Sequence, residues 1–136
     1  MSKKYIFLCA IGAIVLSSCQ EDFDHHLQRE AISYTQKHCP QNIETGITLD
    51  SATYDIPSRT YTQPHTLSGF LDSPEAHKAS LDNLDKLKAQ LVTTLRGDTK
   101  WETCKENGID FAYAYRSASK GEQIFKITLT PKDYRR

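Results

Sequence analysis

Residues 111–130 read FAYAYRSASKGEQIFKITLT, and this stretch decides the fold class. Aromatic and aliphatic residues alternate with small or polar residues on both sides of the Lys120-Gly121 pair. Strict alternation is typical of half-buried β-strands, and a polar, glycine-containing segment between two of them indicates a hairpin turn. One face of this hairpin is apolar and the other is mixed. The pattern therefore predicts an antiparallel sheet that is covered on one side.

A second pair of strands is predicted upstream, between residues 46 and 63. The apolar alternation here slips in phase near Asp50-Ser51, which suits a β-bulge, and Pro57-Ser58 marks the turn between the strands. Pro64 has no amide proton to donate to a neighbouring strand. The second strand of this pair is therefore expected at the edge of the sheet, or bulged at Pro64.

A first helix is predicted to end near Cys39, because Pro40 disfavours helical geometry in the residue before it. Asp22 or Asp24 is a suitable cap for its start. The residues at helical spacing on its apolar face are Phe23, Leu27, Ala31 and Tyr34.

A second helical region is predicted between the strand pairs, starting at Ser73-Pro74 and ending near Gly97. Asn83 interrupts it, so its regular part is expected to begin only around residue 80. A short helical turn, 99–107, follows. The order α-β-β-α-β-β predicts an α+β fold with a four-stranded antiparallel sheet and helices packed on one face.

The N-terminus has the pattern of a secretory signal. Lys3 and Lys4 precede an apolar run over residues 5–16, which is shorter than the ~20 residues that a membrane-spanning helix needs. The junction Leu16-Ser17-Ser18-Cys19 follows. It resembles the lipobox of bacterial lipoproteins, and the resemblance implies cleavage before Cys19 and acylation of its thiol and new amino group. Because each buried CH₂ contributes about 0.8 kcal/mol, two or three acyl chains anchor a protein stably.

The residues after the lipobox bear on the membrane to which a lipoprotein is sorted. Gln20 stands where inner-membrane lipoproteins of enteric bacteria have Asp, and the acidic stretch 21–24 loosely resembles an export signal toward the cell surface. We therefore expect the protein to be located at the outer membrane, on its periplasmic side or at the cell surface. As a whole the chain resembles the small lipoproteins of Gram-negative bacteria.

These predictions divide the chain into a signal peptide (1–18), a lipidated Cys19 with a short acidic tether (19–24) and one α+β domain (25–136). The 136 residues contain 17 basic and 17 acidic side chains, and loss of Lys3 and Lys4 leaves a formal charge of 15 − 17 = −2. A near-neutral chain lacks the basic stripe of a nucleic-acid-binding protein. The membrane is therefore expected to be bound through the lipid.

Two cysteines remain once Cys9 leaves with the signal peptide and Cys19 is acylated: Cys39 and Cys104. Disulfides persist in an oxidising compartment, so these two are expected to form one. The alternative makes one of them a catalytic thiol beside a histidine such as His38.

Two groups of residues suggest ligand sites. A divalent metal could use the acidic and histidine residues beside the anchor, although they lack the usual i, i+4 ligand spacing, and a solvated helix start is the simpler interpretation. Aromatic strand residues could line a ligand face, although core packing and cross-strand pairing are more common. The first group is Glu21, Asp22, Asp24, His25 and His26, and the second is Tyr54, Tyr61, Phe111, Tyr113, Tyr115 and Phe125.

No catalytic motif is recognisable in the sequence, and no cofactor or metal site is assigned. The sequence therefore favours a non-enzymatic, lipid-anchored binding or assembly module, which presents a sheet face or edge to a protein partner. An immunity or inhibitor protein is one specific form of this hypothesis. A lipoprotein that binds a small ligand or a metal is the alternative.

Overall fold

The computed structural model describes the backbone of residues 2–135 and the side chains of residues 19–135. The predicted signal peptide, residues 1–18, lies outside the described side chains. Within the described part of the chain, no helix is both long enough and apolar enough to cross a membrane.

Five helices and six strands make up the described fold. The helices are α1 (Ser2–His38), α2 (Pro74–Asp82), α3 (Leu84–Gly97), α4 (Glu102–Glu106) and α5 (Pro131–Tyr134), with 3₁₀ turns at Gly69–Asp72 and Thr99–Trp101. The strands are β1 (Gln41–Glu44), β2 (Ile47–Leu49), β3 (Thr53–Asp55), β4 (Thr60–Leu67), β5 (Asp110–Ser117) and β6 (Gln123–Leu129).

The strands form one open sheet in the order β1-β2-β4-β5-β6, with β3 also paired to β4. The α+β class and the packing of helices on the sheet are confirmed. Two details of the prediction were wrong: the sheet has six strands rather than four, and β4 and β5 are parallel. The helical segment from residue 69 to residue 106 returns the chain to the end where β4 began. A crossover of this kind makes the next strand parallel.

The predicted bulge is confirmed. Leu49 lies opposite His65 and Thr53 lies opposite Thr62, so residues 50–52 face only residues 63 and 64. The segment 50–52 therefore has one extra residue, and this residue causes the phase slip in the sequence. Pro64 lies in β4, inside the sheet, and its carbonyl accepts a hydrogen bond from the Asp50 amide at 2.9 Å. The bulge removes the need for an amide proton at Pro64, so an edge position is not required.

The predicted hairpin at the C-terminal end is confirmed as the antiparallel pair β5–β6. Ser73 caps α2 by accepting a hydrogen bond from the Ala76 amide at 3.1 Å, and Asn83 separates α2 from α3. The first helix ends at His38, as predicted. The predicted cap was wrong: α1 runs through Asp22 and Asp24 without a break, so neither residue begins a helix.

Strand register places the predicted strand aromatics on the side of the sheet that carries the helices. Tyr61 lies opposite Tyr54 on one neighbour and Phe111 on the other, and Tyr115 lies opposite Phe125. All six belong to the hydrophobic core or pack against it. All six residues therefore contribute to core packing.

Candidate docking groove

One end of the sheet is joined to α1 by a buried polar network; we call this the anchor end, because it lies beside Cys19. The Tyr54 hydroxyl donates to Asp24 at 2.7 Å, and Arg59 Nε donates to the same carboxylate oxygen at 3.3 Å. Arg59 Nη1 also donates to the Asn107 carbonyl at 3.0 Å. Burial, and then the hydrogen bond to Asp24, raise the pKa of Tyr54, so its hydroxyl stays protonated as a donor.

Side chains of α1 also occupy the hydrogen-bonding edge of β3. Thr35 Oγ1 lies 2.8 Å from the Ala52 amide nitrogen and 2.9 Å from the Ala52 carbonyl oxygen. Gln28 Nε2 donates to the Tyr54 carbonyl at 3.3 Å. Backbone groups on this edge are therefore satisfied by the helix.

The opposite end of the sheet carries an apolar cavity of about 410 Å³, which we call the distal groove. It lies between α2 and α3 on one side and the strands on the other. Glu44 is the sole charged residue among its described lining residues. The apolar lining residues are Ile43, Ile47, Leu67, Leu71, Leu87, Leu91, Tyr115, Phe125 and Ile127.

Three exposed apolar side chains lie on the segments that form the distal groove. Ile43 lines it and is 47% exposed, Phe70 precedes the lining residue Leu71 and is 69% exposed, and Leu81 follows the lining residue Ser80 and is 47% exposed. Exposed large apolar side chains on the segments that form one cavity are a feature of protein-interaction surfaces. In the described part of the chain, Ile32 on α1 is the other large hydrophobic residue with comparable exposure, and it does not line the distal groove.

A carboxylate holds the loops beside the distal groove in place. Asp72 accepts hydrogen bonds from Ser117 Oγ and from the Ser119 amide, and His77 Nε2 lies 2.8 Å from it. These contacts join the 3₁₀ turn that carries Phe70 and Leu71 to the β5–β6 loop. The hydrogen bond from Ser117, followed by that from the Ser119 amide, holds the pKa of Asp72 well below its usual range.

The face of the sheet without helices carries small and polar residues. Ala112 lies between Thr62 and Thr128, and Ala114 lies between Pro64 and Lys126. Strand register directs the side chains of the predicted strand aromatics toward the other face. The apolar surface is therefore found in the distal groove, on the helix-bearing side.

Of the predicted site residues, Cys19 is exposed on α1. Cys39 and Cys104 are free thiols, so the predicted disulfide is not supported. Cys104 is buried within the hydrophobic core, whereas Cys39 lies half-buried just after the end of α1.

Both free thiols have the environment of structural cysteines. Burial raises the pKa of Cys104 to about 11, and burial followed by the nearby Asp50 carboxylate raises the pKa of Cys39. A catalytic cysteine needs the opposite, a lowered pKa that yields thiolate at neutral pH. His38 packs against Tyr34, with ring centroids 4.8 Å apart and the ring planes tilted by 42°.

The acidic and histidine residues beside the anchor do not converge. Asp24 is buried against Tyr54 and Arg59, whereas His26 pairs with Glu30 on the exposed side of α1 at 3.0 Å. Within the described residues, no group of His, Cys, Asp or Glu has the geometry to hold a metal ion.

Sequence reasoning missed the distal groove. Its residues come from β1, β2, β4, the 3₁₀ turn, two helices and both strands of the C-terminal hairpin. The one available signal was Phe70, a large apolar residue in a Ser-Gly-Phe stretch outside both periodic patterns.

The fold, a mixed sheet with helices on one side, occurs in proteins of known structure. A Pseudomonas aeruginosa protein described as secreted matches with a TM-score of 0.70 at 12% identity, over 85% of this chain and 96% of that one. The type 2 secretion system pilotin EpsS from Vibrio vulnificus matches with a TM-score of 0.66 at 10% identity, over 88% and 98%. The pilotin AspS from Vibrio cholerae matches with a TM-score of 0.61 at 12% identity, over 87% and 97%.

At these identities the likeness is one of fold. At the level of sequence, residues 22–125 match the family described as "Domain of unknown function (DUF8479)", and the chain belongs to that family. No curated protein matches the sequence.

Proposed function

We propose that this protein is a lipid-anchored, extracytoplasmic module of the outer membrane that binds a protein partner through the distal groove. The observation that carries the proposal is the apolar groove and its exposed rim at the end of the sheet remote from Cys19. Neither thiol is activated and the cavity is apolar, so we propose a binding protein rather than an enzyme.

The geometry of α1 supports a partner site that points away from the membrane. Cys19 lies five residues before the buried Asp24, about 8 Å along the helix at a rise of 1.5 Å per residue. Thr35, which contacts Ala52, lies sixteen residues after Cys19, or about 24 Å. The distal groove lies beyond that contact, so acyl chains on Cys19 would leave it accessible.

The lining of the groove indicates the chemistry of the partner. Ile47, Leu87 and Leu91 offer apolar contacts, and Glu44 contributes one negative charge at the rim. These features suit an apolar segment with a nearby basic residue. A volume of about 410 Å³ lies within the range that binding sites on proteins commonly have.

The pilotin neighbours favour a role in assembly. Two of the matching structures are pilotins of type 2 secretion systems. The match with this chain extends over 97–98% of their length. We propose a comparable role here, with a partner that belongs to an envelope assembly. An immunity or inhibitor protein would use the same groove on a partner that it blocks.

The test is cross-linking of the full-length protein in its own membranes, followed by affinity purification and mass spectrometry. Phe70→Ser and Leu81→Ser are expected to lose the dominant cross-linked partner, because each removes an exposed apolar side chain beside the groove. Ile32→Ser is the matched control, since Ile32 is 52% exposed on α1 and lies outside the groove.

The anchor is tested in the same experiment. Cys19→Ala is expected to abolish the incorporation of a labelled fatty acid and to reduce partner recovery. If Ile32→Ser abolishes the cross-link as strongly as Phe70→Ser, or if neither groove variant reduces it, the groove is not the docking site. If the unmodified protein incorporates no labelled fatty acid, or if Cys19→Ala incorporates as much label as the unmodified protein, the lipid anchor is wrong.

A further inference from the structure

A second cavity of about 390 Å³ lies between α1 and the Thr99–Trp101 turn, and it shares no lining residue with the distal groove. Three aromatic side chains line it, namely Tyr34, Tyr61 and Trp101. Lys37, His38 and Lys100 also line it. We call it the Trp101 pocket.

The aromatic rings form a connected wall. Tyr61 meets Trp101 edge to face, with ring centroids 4.9 Å apart. Lys100 Nζ lies 5.2 Å from the Trp101 centroid and 5.8 Å from the Tyr34 centroid, so its ammonium group is held over both rings. Attraction between a cation and aromatic faces positions this charge without neutralising it.

Among the described charged side chains that line the pocket, Glu30 has an ion-pair partner and the two lysines have none. Among the side chains of residues 19–135, neither Lys37 nor Lys100 forms an ion pair. The one carboxylate of the lining belongs to Glu30, whose Oε1 lies 3.0 Å from His26 Nε2. The pocket therefore offers unpaired ammonium groups beside an aromatic wall.

We propose that the Trp101 pocket binds a small acidic sugar. A carboxylate on the sugar pairs with the ammonium groups of Lys100 and Lys37, and the apolar face of its ring packs against the part of the aromatic lining that Lys100 leaves open. Gln63 and Ser33 supply neutral polar groups that can bond sugar hydroxyls. The pocket is separate from the distal groove, so this proposal stands independently of the proposed partner site.

The protein carries its own probe, because Trp101 is the only tryptophan of the chain. We would titrate the detergent-solubilised full-length protein with N-acetylmuramic acid and follow the tryptophan fluorescence, with N-acetylglucosamine as the matched sugar that lacks the carboxylate. A saturable change is expected with the acidic sugar alone. Isothermal titration calorimetry on the same samples measures affinity without relying on the fluorophore.

Lys100→Met keeps an unbranched apolar side chain over the rings and removes the charge. It is expected to weaken binding of the acidic sugar about tenfold, the scale of one charge-assisted contact. Lys37→Met is expected to weaken binding in the same direction. Lys126→Met, on the face of the sheet without helices, is the control and is expected to bind as the unmodified protein does.

Three results would overturn the proposal: no saturable change with either sugar, equal affinity for both sugars, or undiminished binding by both pocket lysine variants. Circular dichroism of each variant separates lost binding from lost folding. Phe70→Ser, which is directed at the distal groove, is expected to leave the sugar titration unchanged, so the two sites are tested separately.

Discussion

The anchor end and the distal end of the sheet are built in opposite ways. At the anchor end, the Asp24 carboxylate accepts hydrogen bonds from both Tyr54 and Arg59 in a largely buried network. At the distal end, Ile43, Phe70 and Leu81 expose apolar surface around an open groove. Removing the hydrogen-bond partner of a buried polar group lowers the free energy of unfolding strongly. Removing an exposed apolar side chain changes it little. The difference indicates that one end supports the fold and the other is available for binding.

The largest expected effect is at the anchor end. Asp24→Ala removes the acceptor of both Tyr54 and Arg59, and we expect it to lower the free energy of unfolding by about 2–3 kcal/mol. This lies below the range for a fully buried ion pair because Arg59 is partly exposed. Urea unfolding of the detergent-solubilised protein, followed by tryptophan fluorescence, measures it. The exposed Asp22→Ala is the control, and a similar loss in both variants would contradict the role of the network.

A smaller, pH-dependent effect is expected beside the distal groove. Because the pKa of Asp72 is lowered in the folded protein, its contribution to stability is present above the ordinary carboxyl pKa of about 4 and declines as the pH falls below it. Asp72→Asn should therefore lower the melting temperature at pH 7 more than at pH 3. Asp22→Asn, a substitution of an exposed side chain within α1, is the control. Equal losses at both pH values for Asp72→Asn would contradict this assignment.

The smallest expected effect is at the rim itself. Phe70→Ser changes a side chain that is 69% exposed, so we expect the free energy of unfolding to change by less than about 0.5 kcal/mol. The same urea experiment measures it. A loss as large as that of Asp24→Ala would show that Phe70 supports the fold, and the contrast between the two ends would fail.

Several features were predictable because they depend on neighbours in the sequence. The hairpin around Lys120-Gly121, the helix end before Pro40, the cap at Ser73 and the interruption at Asn83 each follow from residues a few positions apart. The extra residue of the bulge near Asp50 was visible as a change of phase. Alternation, capping and proline geometry act over such short distances, so a linear sequence displays them.

Other features depend on residues that are distant in the chain. The parallel pairing of β4 with β5 is set by the path of the intervening helices, and no pattern within either strand reports it. The local sequence predicts Asp24 as a helix cap, whereas the fold places it against Tyr54, thirty residues away.

The amino-acid sequence by itself determined the local elements of this protein, the α+β class and the expectation of a lipid anchor at Cys19. Only the tertiary structure decided which side of the sheet holds the aromatic residues, that Cys39 and Cys104 stay free, and where the distal groove and the Trp101 pocket lie. The physical reason is that cavities form between elements. Their walls come from segments whose relative positions depend on long-range packing, which short sequence patterns do not encode.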